Sequence, residues 1–168
     1  MEDSGDTTYL VHEAPAWRPD QGYIAMVDLG PFGFPNLNDQ VWLKQLDQAR
    51  YEVRCIPFRV YGIALGDVVE LDNGRFIAQV VQASGRRVLR IFFTEPRPAA
   101  NGDDARRDLI MEVGSAGLLS ECDGDRHVAI DVPPDANMQG VYDWVTREIE
   151  LRSAFWEWAD SKPFVYPH

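Results

Sequence analysis

YEVRCIPFRVYGIALGDVVELDNG, residues 51–74, holds no charge run, no metal-ligand spacing and no nucleophile elbow, yet it is the most patterned part of the chain. Taken from Arg50 to Phe58, it alternates: Tyr51, Val53 and Cys55 share one face of a strand while Glu52 and Arg54 share the other. Pro57 lacks an amide donor, so the pairing ends there or runs along a sheet edge. Gly62 and Gly66 bracket Ile-Ala-Leu, and Gly66-Asp67 forms a turn that releases the apolar run VVEL. Asn73-Gly74 comes next, a strong hairpin signal, because both central positions of a type I′ turn need positive φ. RFIAQVV then returns along VVEL, Ser84-Gly85 turns again, and RRVLRIFF goes back. With VWLKQL (41–46) paired ahead of residues 50–58, residues 40–93 predict an antiparallel meander of about five strands, which at this size curls into a small barrel.

On the amino-terminal side the composition changes. Residues 17–40 contain Pro19, Pro31 and Pro35 with Gly22, Gly30 and Gly33, which break helices and interrupt long strands. Residues 1–39 therefore predict an irregular arm, tacked down by Trp17, Phe32 and Phe34, with one short strand at 23–27 and a disordered start over residues 1–8. On the carboxyl-terminal side TEPRPAANG (94–102) reads as a linker, and beyond it the period moves from two towards 3.6. Asp103 or Asp104 caps a short helix whose apolar face is Leu109, Ile110 and Val113. LLSEC and HVAIDV flank DGDR as a second hairpin, and residues 137–159 carry a wide helical stripe from Met138 to Trp158. Counting RRVLRIFF as its first strand, the half over residues 94–160 reads β-α-β-β-α, a ferredoxin-like order without its last strand, and residues 161–168 form a tail. The predicted fold class is α+β: an antiparallel β-meander or small barrel followed by a ferredoxin-like β-α-β-β-α unit packed on it as one compact body.

A chain of 168 residues with 45% hydrophobic content suits one compact domain with a real core. Asp and Glu number 27 against 16 Lys and Arg, giving a formal net charge of −11 spread along the chain. Such a field repels phosphate, which argues against nucleic acid and anionic membrane and in favour of a basic protein or peptide as partner. Two cysteines, Cys55 and Cys122, are too few for a secreted disulfide framework. The opening MEDSGDTTYLVHEAP is acidic where a signal peptide is basic and then apolar, and no apolar stretch approaches the ~20 residues that span a bilayer. A cytoplasmic protein with reduced thiols is the expectation.

Taken in order, VWLKQL, YEVRCIPFRVYGIALGDVVEL, ASGRRVLRIFF, SAGLLSEC and VAIDVPPDANMQGVYDWV give the chain a resemblance to a family of small bacterial proteins catalogued as a domain of unknown function. The signature runs Ile-Pro-Phe, Tyr-Gly, Gly-Asp-Val-Val, Ser-Gly and Arg, within about residues 39–160. The resemblance implies no activity, cofactor or catalytic residue, and the amino-terminal arm lies outside it.

Residues able to carry chemistry are few. ECDGDRH (121–127) sets Cys122, Asp123, Asp125 and His127 close together. A thiolate needs a base in reach, so Cys122 and His127 are the catalytic candidates; the simpler reading is an Asp-Gly turn that brings two paired strands together. Asp123, Asp125 and His127 make only a partial oxygen-rich metal site, no second His or Cys pair has zinc spacing, and neither a metal nor another cofactor is expected. GPFG and YGIALGD lack the residues of phosphate-binding loops. Arg86, Arg87 and Arg90 form a basic cluster in which alternation puts Arg86 and Arg90 on one face and Arg87 on the other. They either hold a carboxylate or phosphate or pair internally with Asp and Glu. Trp156 and Trp158 cannot both face inward from a helix, and an exposed Trp is typical of binding hot spots. Trp156, Trp158, Arg86 and Arg90 are thus the binding candidates.

These features favour a non-enzymatic binding module that recognises a basic protein or peptide, in the manner of an adaptor or an immunity-type inhibitor. Two alternatives stand beside it. One is a small enzyme using Cys122 and His127, the other a small-ligand sensor with a pocket between the two halves.

Overall fold

Ten strands and two helices, arranged in two sheets, make up the computed structural model, which describes residues 5–94, 105–151 and 153–167. The fold class is α+β. The first sheet comprises β1 (Thr8–Leu10), β2 (Tyr23–Asp28), β3 (Leu37–Gln45), β4 (Arg50–Val53), β5 (Val68–Asp72) and β6 (Phe76–Gln82). Its order is β1-β3-β2-β6-β5-β4, and because β3 also pairs with β4 the five strands β2 to β6 close into a ring, with β1 added outside. Alternation sends Ala25, Val27, Val41, Leu43, Val53, Val69 and Ile77 into the ring, where all are buried. Asn73 (φ 52°) and Gly74 (φ 65°) occupy the tight turn between β5 and β6, as their residue types require.

The barrel differs from a simple antiparallel meander in three respects. The sheet is mixed, since β1 runs parallel to β3 and β2 parallel to β6. The arm is not merely irregular: β2 forms six pairs with β3 and joins β6 through Met26 and Phe76, so residues before 39 complete the ring. Of the expected disordered start, residues 1–4 lie outside the described residues, and Thr8 already pairs with Leu37. Third, Ser84-Gly85 is not a hairpin. The strand after it, β7 (Arg87–Phe93), leaves the barrel for the second sheet. Its two faces explain why: Leu89, Ile91 and Phe93 on one side and Val88 and Arg90 on the other are all buried, so the strand needs cover on both sides.

The second sheet runs β10-β7-β9-β8, wholly antiparallel, and comprises β7, β8 (Ser120–Asp123), β9 (His127–Val132) and β10 (Ala154–Trp158). Helices α1 (Ala105–Ser115) and α2 (Gln139–Glu150) pack on one face through Leu109, Val113, Val141, Trp144 and Val145. The expected single helix over 137–159 therefore ends early. Ser153 donates its amide and hydroxyl to the Glu148 carbonyl (3.1 and 3.2 Å), and the aromatic run that follows is extended, as its β-propensity favours. The sequence reading has no strand here; the structure forms β10 over Ala154–Trp158. The linker over 94–102 beyond its first residue, and the caps Asp103 and Asp104, lie outside the described residues. Among the described residues no helix is long and apolar enough to cross a membrane.

Between the two sheets lies the loop 54–67. The sequence predicts a strand to Phe58, but β4 stops at Val53 and the chain dives between the layers. Ile56, Phe58, Ala64 and Leu65 pack there against Val88, Ala129 and Ala159 of the second sheet and its continuation. Irregular backbone buried this deeply has no ladder to satisfy it, so each polar group needs another partner. Gly66 donates to Val53 and Gly62 to Ala159 (both 2.9 Å). Asp67 accepts from the amides of Ala64 (2.9 Å) and Ser84 (2.8 Å), and the Ser84 hydroxyl donates to the Leu65 carbonyl (2.8 Å).

Candidate functional site

Charged side chains finish the work of holding this loop. Glu121 Oε2 accepts from the amides of Ile56 (2.5 Å) and Ala16 (3.1 Å), and Asp39 Oδ2 accepts from that of Phe58 (3.2 Å). Between the two carboxylates sits His12, with Nδ1 2.7 Å from Glu121 Oε1 and Nε2 2.8 Å from Asp39 Oδ1. Its ring stacks on Phe58 at 4.1 Å. With a carboxylate at each nitrogen, both must donate, so the ring is an imidazolium. Burial alone lowers the pKa of such a ring, but the Asp39 and Glu121 carboxylates at its two nitrogens outweigh it and hold His12 well above the ordinary histidine range. Cys55 is fully buried beside this cluster, and burial pushes its thiol up, so it has no thiolate to offer as a nucleophile. The cluster ties the arm, the barrel and the second sheet together.

On the far side of Phe58 the structure opens into a cavity of about 350 Å³. Phe34, Phe58, Phe92 and Phe155 give it an aromatic wall; Arg59, Arg90 and His127 give it polar atoms. Arg90 rises from β7 and is only 2% exposed. It donates to the Val60 carbonyl, lies 3.5 Å from Glu157 and sits 5.1 Å from the Tyr61 ring. Arg59 lies over Phe34 and reaches Asp123 at 3.7 Å. His127, at the start of β9, is 5% exposed, between the rings of Phe58 and Phe92.

Two donors in this wall are unused. Arg59 Nε and Arg90 Nε are buried with no hydrogen-bond partner among the described residues, while His127 sets its ring against the Phe58 backbone. Burial, reinforced by the Arg59 and Arg90 cations, lowers the His127 pKa to about 4, so the ring is neutral near pH 7. Tyr61 donates to Glu157 at 2.6 Å, and burial together with that carboxylate pushes the phenol up to about 12. Glu157 is thereby engaged, and the unused capacity of the pocket is that of its guanidinium N–H donors. No Ser, Thr or Cys lines the cavity among the described residues. The arrangement suits the holding of an anionic group on an apolar body.

Of the residues the sequence singled out, the pocket collects Arg90, His127 and Trp156. Arg86 stands apart, bonded to Asp131 and lying 4.7 Å over Trp17. Trp158 packs against the helix-side core with Arg87 over its ring at 3.8 Å. Cys122 pairs with Val128 and Asp123 with His127, so Cys122 and His127 project from opposite faces of the sheet. Among the described residues no group of three or more His, Cys, Asp or Glu is placed to hold a metal ion. Sequence reasoning missed Arg59 and Tyr61, whose signal was their position in an otherwise apolar run, and His12 with Asp39, for which the local sequence carries no signal.

Comparison with known proteins agrees with this architecture. A family model described as Domain of unknown function (DUF4265) matches residues 39–158. A solved structure described as "Novel crystal structure of a hypothetical protein from Neisseria gonorrhoeae" is similar with a TM-score of 0.60 at 17% identity, covering 85% of this chain and 97% of that one. That likeness is one of fold. No curated protein matches the chain.

Proposed function

Since the chain belongs to the DUF4265 family, a domain of unknown function, we propose a role from the pocket itself: a non-enzymatic binding module that takes a carboxylate carried on an apolar or aromatic body. The observation that carries this reading is the pair of unpartnered guanidinium donors, Arg59 Nε and Arg90 Nε, set beside neutral His127 in an aromatic cavity. Leaving a buried donor unmet costs about 1–3 kcal/mol, so a ligand that supplies acceptors recovers that cost on binding. A guanidinium pair in an acidic protein also selects locally against its own long-range field. The basic partner suggested by the net charge of −11 is therefore better replaced by one whose anionic group enters this pocket. Reading the second half as a ferredoxin-like unit supports the same view: its sheet offers one face to the helices and the other to a fixed wall, a setting for binding at the junction of two layers.

The test is a calorimetric titration with 3-phenylpropionate and, in parallel, with its primary amide. The acid should bind saturably and the amide at least about tenfold more weakly, as should the acid to Arg59→Met or His127→Phe. Equal affinity for acid and amide, or no saturable binding of the acid, refutes the reading.

A further inference from the structure

The pocket has an open border, and that border is a strand edge. Among the described residues, β10 pairs in the second sheet only with β7. The bonds at its two ends, Thr94 amide to Ser153 carbonyl (3.0 Å) and Ala159 amide to Val88 carbonyl (2.9 Å), fix which residues face β7. Alternation then turns the backbone groups of Phe155 and Glu157 towards β7 and those of Ala154 and Trp156 outward. For Trp156 no backbone partner on that outer side is found among the described residues. Edges of this kind are ordinarily guarded by lysine, proline or a bulge. Here the strand is AFWEW, with Phe155 66% and Trp156 49% exposed, and its one charged group, Glu157, is turned into the pocket and bonded to Tyr61.

Phe155, Trp156 and Glu157 also form one wall of the cavity. The outward N–H and C=O of Trp156 thus lie next to the site that offers donors to a carboxylate. We infer that the occupant of this site is the carboxyl-terminal end of an extended polypeptide, which adds as a strand to β10 and places its terminal carboxylate at Arg59, Arg90 and His127. Main-chain bonds to the edge supply affinity in such an arrangement, and the pocket supplies specificity for a terminal carboxylate with an apolar last side chain. The inference rests on the pocket reading above. It adds the edge, which a free small carboxylate does not use.

The experiment uses the full chain and the probe fluorescein-Thr-Val-Thr-Val-Phe, as free acid and as amide, read by fluorescence anisotropy. Two variants separate the edge from the ring: Trp156→Ala removes the side chain, and Trp156→Pro removes the outward amide as well, a change that a strand edge tolerates. We expect the acid to bind at least about tenfold more tightly than the amide, and Trp156→Pro to bind it at least about tenfold more weakly than Trp156→Ala. The two variants should bind 3-phenylpropionate equally. Should Trp156→Pro lose its fold by circular dichroism, peptides N-methylated at alternate residues replace it, and only one of the two alternating sets should lose affinity. Equal binding of the peptide by the two variants, or indifference to both sets of N-methyl groups, overturns strand addition. Binding of 3-phenylpropionate without the peptide leaves the pocket reading intact and removes this inference, whereas failure of both probes removes the pocket reading too. A concentration-dependent dimer that Trp156→Pro abolishes, without peptide binding, assigns the edge to a second copy and overturns the inference as well.

Discussion

Moving an equilibrium unfolding experiment across the range from about pH 4 to pH 9 loads two buried histidines in opposite senses. For His12, burial acts downward, yet Asp39 and Glu121 hold the folded pKa far above the unfolded value of 6.5. Its contribution is therefore complete below pH 6.5 and is lost as the pH rises above it. Folding takes up close to one proton there, so stability should fall by about 1.4 kcal/mol per pH unit, or about 2 kcal/mol between pH 7 and 8.5. For His127 the folded pKa is lowered from 6.5 to about 4, first by burial and then by Arg59 and Arg90. Its contribution is complete above pH 6.5 and declines towards pH 4, by about 3 kcal/mol. Asp67 and Asp131, raised by burial, bend the acid side the other way, so the His127 part is read as the difference between wild type and His127→Phe. Urea denaturation followed by tryptophan fluorescence supplies both curves. A wild-type stability that stays flat from about pH 7 to 8.5, or a difference curve without slope between about pH 4 and 6.5, refutes these assignments.

Three further outcomes follow from particular contacts. Gly74→Val places a β-branched residue at φ 65° and should cost about 1–2 kcal/mol; an unchanged urea midpoint counts against the turn. At Gly62 an added Cβ would lie 2.2 Å from the Phe164 amide nitrogen, so Gly62→Ala should release the tail. Chymotryptic cleavage after Phe164 should then speed up by about tenfold or more, and wild-type resistance in the variant would show that the tail is held elsewhere. Cys122→Ser should leave both the unfolding midpoint and 3-phenylpropionate binding unchanged, since Cys122 and the pocket face opposite sides of the sheet. Loss of binding in a folded variant would restore Cys122 to the site.

Where local physics decides, the sequence was legible. Asn73-Gly74 marks its turn, VVEL and RFIAQVV pair across it, and the stripe from Val141 to Val145 makes a helix in any context that buries one face. Arg90 was legible as an oddity, a cation at a position whose strand neighbours Leu89 and Ile91 are both buried. The loop 54–67 was not, because continuous apolar sequence covered on both sides has no period to betray it. The same holds for β7, read as the last strand of a meander because it is apolar on both faces. Phe155 and Trp158 fit a helical stripe as well as a strand, and only the bond from Ser153 to Glu148 decides against the helix. The pocket brings Phe34, Arg59, Arg90, His127 and Glu157 together from five separate segments, and no spacing rule spans such separations.

The cluster of His12, Asp39 and Glu121 also has a temporal meaning. His12 is synthesised first; its two acceptors follow 27 and 109 residues later. An imidazolium buried against one carboxylate and an empty socket is unfavourable electrostatically, so the segment around His12, unlike the paired strands β1 and β2, has no stable seat until the second sheet exists. Docking of residues 12–16 thus reports that both halves are made and correctly apposed. A chain clipped between them should leave residues 11–16 accessible to proteases, while β1 and β2 keep their pairing in the barrel. The matched family span of residues 39–158 contains both carboxylates but not the histidine, which reaches them from the amino-terminal arm that also supplies β1 and β2 to the barrel.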